Sequence, residues 1–197
     1  SLFENNYEKT LMWVLIGVFL DSFDGLVARA FRATTEIGKQ LDSLCDVISF
    51  GVVPGYFMYK YLSDFLSYEL VPLSLSAFVV TLASIFRLAR FNITPSSQLD
   101  FQGLPTPAFA LFVIGIPFIP YEINPIIITV IVALLTVLMV SKIMLPSQKF
   151  VNGKPSNFFW IFAVVAIPVL LIFRSQALSL TVLTYAFFGM LYMRLRA

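Results

Sequence analysis

A chain of 197 residues that is 59% hydrophobic and only 12% charged is not a soluble globular domain, in which about a quarter of residues carry charge. Its mean hydropathy of +0.89 points to an integral membrane protein built of helices, because only helices and closed barrels satisfy their backbone in lipid. The net charge of +2 gives no basis for binding nucleic acid, and the lack of histidine removes the usual general base and zinc ligand; a lone cysteine, Cys45, excludes an internal disulfide and reads as a small packing residue.

In chain order, residues 1–9 are polar and of mixed charge and read as a loop. A first span runs from Leu11 to about Arg32, apolar up to Leu20 and polar on one face at Asp21 and Asp24, with small residues Gly25 and Ala28 beside them. A turn at 33–37 precedes a second span from Ile37 to about Leu62, in which Gly51, Pro54 and Gly55 predict a bend. A third span covers Leu70–Phe91 and ends in Arg87-Leu-Ala-Arg90-Phe-Asn92. After a polar loop, Leu104-Pro-Thr-Pro107 opens a fourth span reaching about Pro120, because prolines suit a helix start whose amides have no helical partner. The fifth covers Pro125–Leu145, the sixth Phe158–Phe173 and the seventh Gln176 to about Arg194. The expected fold is therefore all-α: a polytopic transmembrane helical bundle of about seven spans, one membrane domain over 1–197.

The chemistry concentrates in residues 21–46, where four aspartates and an arginine interrupt an apolar chain. On helices, Asp21 and Asp24 are i,i+3 neighbours and Asp42 and Asp46 are i,i+4 neighbours, so each pair shares a face with Cβ atoms roughly 5–6 Å apart. A turn near Thr34–Gly38 brings the pairs together. Four facing carboxylates repel one another and raise each other's pKa, and charges in a membrane are rare without a function. Oxygen-only donors favour a hard divalent cation, Mg²⁺, Mn²⁺ or Ca²⁺.

This stretch resembles the signature of the CDP-alcohol phosphatidyltransferase family, D-x2-D-G-x2-A-R-x8-G-x3-D-x3-D, at all eight fixed positions: Asp21, Asp24, Gly25, Ala28, Arg29, Gly38, Asp42 and Asp46. The resemblance implies a transferase that moves the phosphatidyl group of CDP-diacylglycerol to an alcohol and releases CMP. It implies two divalent cations per site (Mg²⁺ or Mn²⁺), held by Asp21, Asp24, Asp42 and Asp46, with Asp46 also taking the proton of the incoming hydroxyl. It assigns CDP-lipid contacts to Gly25, Ala28, Arg29, Thr35 and Gly38; a threonine at position 35 also suits the cap of the next helix. Members of the family are dimers, and apolar helices allow a homodimer here. The family carries a further transmembrane helix before the motif helix, and this chain, which begins at Ser1, is expected to lack it; a chain without it is a candidate for an inactive protein.

Arg87, Arg90 and Asn92, with the Gly103-Leu-Pro-Thr-Pro107 loop, resemble the serine-using branch of the family. Two arginines at i,i+3 converge on one anion, and arginine pairs bidentately with a carboxylate, which serine carries and glycerol does not. Lys39 is a further candidate for contact with phosphate or acceptor. The acceptor expected is thus L-serine, with glycerol 3-phosphate or inositol phosphate as alternatives. With the turn after the first span in the cytoplasm, Arg29, Arg32, Lys39, Arg87, Arg90, Lys142, Lys149, Lys154, Arg194 and Arg196 fall on the cytoplasmic side and Lys9, Lys60 and Arg174 opposite. That distribution follows the positive-inside rule and predicts a multi-pass cell-membrane protein with its site near the cytoplasmic face. The rival of another class is a divalent-cation channel or transporter with the aspartates as its permeation site; it requires a polar path through several helices, and spans four to seven are almost without charge.

Overall fold

The computed structural model describes residues 7–30, 35–65, 68–93, 101–119, 123–146, 150–151, 154–155, 162, 164, 166–168 and 177–196, with the side chains of 21–30, 39, 65, 68–72, 150–151, 154–155 and 196 outside the description. The chain divides into two compact units, 1–93 and 94–197. The expectation of an all-α membrane fold holds. Among the described residues, Glu36–Asp64, Leu73–Ile93 and Ala177–Leu195 are long and apolar enough to cross a membrane, and Thr106–Phe118 and Pro125–Val140 are shorter apolar helices.

In the first unit, α1 (Tyr7–Ala30) begins four residues before the expected start of the first span. The Tyr7 ring packs edge-on against Phe57, centroids 5.6 Å apart, which draws residues otherwise read as a loop into the helix. Tyr7 lies outside the spanning segment, and its burial, then the negative charge of Asp64, raise its phenol above the ordinary value. A rod of helix follows: α2 (Glu36–Val47), a π turn (Ile48–Val52) and α3 (Val53–Phe65).

The predicted bend takes the form of that π turn, and Pro54 explains it. Proline offers no N–H to the carbonyl of Phe50, four residues earlier, and its ring would clash there. The helix widens instead, and the Val53 amide donates to the carbonyl of Ile48, five residues back. The third span also differs from a single helix: residues Tyr68–Ala77 form a 3₁₀ stretch around Pro72 before α4 (Phe78–Ile93) begins. Ser63 Oγ lies 3.1 Å from Ser74 Oγ and ties α3 to that stretch.

α4 runs antiparallel to the rod, with Gly55 opposite Thr81, Gly51 opposite Ser84 and Ser43 opposite Asn92. Lipid gives helices no hydrophobic reason to associate, so small residues that allow close approach carry the packing. A Cβ at Gly51 would stand 3.0 Å from Ser84 Cβ, and one at Gly55 would stand 2.6 Å from Thr81 Oγ1. Phe50, Phe57, Met58, Leu62, Val80 and Leu88 fill this unit's core.

The second unit holds α5 (Thr106–Gly115), continued as a 3₁₀ turn at Ile116–Phe118, α6 (Pro125–Val140) and α7 (Ala177–Arg196). Ser179 Oγ on α7 donates to the Phe112 carbonyl at 2.7 Å, beside Gly115, where a Cβ would meet that hydroxyl at 2.5 Å. Tyr185 donates to the Pro146 carbonyl at 3.1 Å. The fifth span stops at Val140, not Leu145: Ser141 is extended and β2 (Met144–Leu145) pairs antiparallel with β1 (Phe101–Gln102). A second short ladder, β3 (Phe150–Val151) with β4 (Lys154–Pro155), lies in the expected loop. Most of the sixth span lies outside the described residues; those described within it are helical.

Candidate functional site

Each half of the motif sits on its own helix, as its spacing requires. Asp21, Asp24, Gly25, Ala28 and Arg29 fall in the C-terminal half of α1, their side chains outside the described residues. Gly38, Lys39, Asp42 and Asp46 fall in α2. Arg32 and Thr34, between the helices, are likewise outside the description.

Thr35 starts α2. Its backbone is extended, and its hydroxyl accepts the Gly38 amide at 3.0 Å, satisfying one of the donors a helix start leaves bare. A Cβ at Gly38 would lie 3.0 Å from the same hydroxyl, so glycine lets the cap close tightly. Thr35 and Gly38 are both exposed, which leaves the positive end of α2 accessible.

Asp42 and Asp46 project from successive turns of α2. Asp42 is exposed; Asp46 is half-buried, with Oδ1 enclosed. Both side chains offer oxygen, the atom type that a hard divalent cation prefers. Cys45 between them is exposed. Among the described residues no three Asp, Glu, Cys or His side chains gather as a metal-binding group.

The cluster on α4 meets α2 through a residue that sequence reasoning passed over. Ser43, between the two aspartates, exchanges hydrogen bonds with Asn92: Asn92 Nδ2 to Ser43 Oγ at 2.9 Å and Ser43 Oγ to Asn92 Oδ1 at 3.1 Å. Two groups separated by 49 positions thus stand side by side. A serine inside a motif of aspartates gives little signal in isolation; only its antiparallel partner marks it. Arg87 and Arg90 occupy different surroundings. Arg87 is 8% exposed with Nε enclosed, whereas Arg90 lays its guanidinium over the Phe86 ring at 4.8 Å, a cation–π contact. The other acceptor-branch motif lies in the second unit. There Gly103, at φ 70°, donates to the Ile143 carbonyl at 2.8 Å, and Leu104 and Thr106 are fully buried.

Comparison with known proteins gives the class. The family model for CDP-alcohol phosphatidyltransferases matches residues 1–192. A CDP-diacylglycerol–serine O-phosphatidyltransferase from Bacillus subtilis is 33% identical over 149 residues, 76% of this chain and 81% of that protein. One of the same name from Methanocaldococcus jannaschii is 36% identical over 180 residues, 90% and 81% respectively. Another from Helicobacter pylori is 33% identical over 189 residues, 91% and 77%. The chain belongs to the CDP-alcohol phosphatidyltransferase family, a family of membrane phosphotransferases that generally depend on divalent cations.

Proposed function

We propose that this protein transfers the phosphatidyl group of CDP-diacylglycerol to the hydroxyl of L-serine, giving phosphatidylserine and CMP. The observation that carries the proposal is the pairing of Ser43 with Asn92, which sets the aspartate helix α2 against the Arg87/Arg90 helix α4. The names of the relatives above, spanning most of both chains, support serine as acceptor. We propose further that residues 1–197 act as one catalytic domain in a multi-pass cell-membrane protein, with the site at the cytoplasmic face and a homodimer as its assembly.

In this reading Asp21, Asp24, Asp42 and Asp46 hold two divalent cations, whose chemistry when bound is to neutralise the pyrophosphate and stabilise attacking and leaving oxygens. Arg29 pairs with a phosphate of the CDP-lipid. Gly25 and Ala28 leave room for that lipid on α1. Thr35 accepts the Gly38 amide, so its hydroxyl proton remains to be donated to a phosphate oxygen at the positive end of α2. The serine carboxylate is held by Arg87 and Arg90, with Asn92 and Lys39 at the same end of the first unit. Asp46 takes the proton of the serine hydroxyl as that oxygen bonds to the phosphatidyl phosphorus (the β-phosphorus of the CDP-lipid), and the phosphoanhydride bond breaks with CMP as leaving group. One Asp46 oxygen is enclosed within the first unit, which fixes the carboxylate on α2.

Purified protein supplied with CDP-diacylglycerol, Mn²⁺ and radiolabelled serine, glycerol 3-phosphate or inositol phosphate in parallel tests the proposal. Labelled phosphatidylserine with stoichiometric CMP is expected from serine alone. Product from glycerol 3-phosphate and none from serine would refute the acceptor.

A further inference from the structure

The π turn at Ile48–Val52 does more than absorb Pro54. In an uninterrupted α-helix each residue turns about 100°, so the position seven before Gly51 returns to nearly the same face. Gly51 faces α4 against Ser84; the residue seven before it is Leu44. Yet Leu44 is 61% exposed, and Ser43, eight before, is the residue bonded to Asn92 on α4. The face of α2 is shifted by one position across the turn. Asp42 and Asp46 are shifted with it. One further contact bears on the turn itself: Thr81 Oγ1 on α4 donates to the Gly51 carbonyl at 3.1 Å, inside the widened segment.

We infer that Thr81 is a positioning residue that holds the π turn by its bond to the Gly51 carbonyl and so aims Asp42 and Asp46. This rests on the proposed role of those aspartates in holding cations. Gly51 and Gly55 admit α4 closely enough for the bond to form, and Pro54 denies Phe50 the amide that an α turn would use. If the turn relaxed to α geometry, Leu44 would rotate toward α4 and both aspartates would swing by about 100°.

The test is Mn²⁺ binding to the full-length protein in nanodiscs, followed by electron paramagnetic resonance without lipid substrate, together with thermal unfolding and turnover. Thr81→Val keeps the shape and removes the hydroxyl; Mn²⁺ affinity is expected to fall about tenfold, as loss of one hydrogen bond allows, and Thr81→Ser is expected to restore it. If Thr81→Val does not fold, Pro54→Ala decides. It returns the missing amide with the hydroxyl intact, and is expected to weaken Mn²⁺ binding without lowering the unfolding temperature. Unchanged Mn²⁺ affinity in Thr81→Val, or in Pro54→Ala where that variant decides, overturns the inference, as does a Thr81→Ser variant as weak as Thr81→Val. Asp46→Asn serves as the reference. If it keeps full Mn²⁺ binding, the cation role of the aspartates has failed; if it alone loses binding, only the role of Thr81 has.

Discussion

Asp42 and Asp46 lie one turn apart on α2 but are enclosed to different degrees, the first exposed and the second half-buried. Under the proposed mechanism their amide variants should differ in kind. Asp46→Asn removes both a ligand and the base, and turnover should fall by about 10²–10⁴-fold, the usual contribution of a positioned base. Asp42→Asn should act mainly through weaker activation by Mn²⁺, which a metal titration of initial rates reads directly. Equal loss in both with unchanged metal dependence would speak against the division of roles. Gly103 offers a prediction about stability instead. Its φ of 70° is left-handed, and a Cβ there would run into the Met139 carbonyl. Gly103→Ala should destabilise the protein by roughly 1–3 kcal/mol, seen as a lowered unfolding temperature in detergent. The same residue marks what sequence reading left out. Gly103-Leu-Pro-Thr-Pro107 is legible as a motif, but its anchoring to Ile143 and Leu138 goes with a short strand pair that no two-residue segment announces.

At the level of elements, α2 and α4 are joined above the π turn by Ser43 and Asn92 and beside it by Thr81 and Gly51. A double-mutant cycle on Ser43→Ala and Asn92→Ala should return a coupling of about 0.5–1.5 kcal/mol in unfolding free energy, the net worth of an ordinary hydrogen bond; additive losses would mean that the pair does not join the helices. Existence and order of the helices were readable because long apolar runs separated by polar turns leave few alternatives in lipid. Their internal geometry was less so. Pro54 signalled a disturbance, but whether the chain kinks or widens depends on α4 packing against Gly51 and Gly55. Pro72 likewise fell inside a span read as one helix, where the structure has a 3₁₀ stretch before α4. The candidate site was readable in part: its spacing puts Asp21 and Asp24 on one helix and Asp42 and Asp46 on the next. The Ser43–Asn92 pair was not, because antiparallel register is a tertiary property.

For the molecule as a whole, the proposed function rests on four aspartates carried by two consecutive helices, α1 and α2, of a chain whose later spans are almost without charge. Chelation with EDTA should abolish phosphatidylserine formation, and Mn²⁺ or Mg²⁺ should restore it while Zn²⁺ should not, since the proposed donors are all carboxylate oxygens; turnover that survives chelation would count against the cations. The most direct measurement is a crystal structure of the protein with CDP-diacylglycerol and Mn²⁺, with the metal located by its anomalous scattering. The account predicts two peaks roughly 3.5–4 Å apart, in contact with Asp21 and Asp24 of α1, Asp42 and Asp46 of α2 and the pyrophosphate. A bound CDP-lipid with no metal among those four aspartates would contradict it.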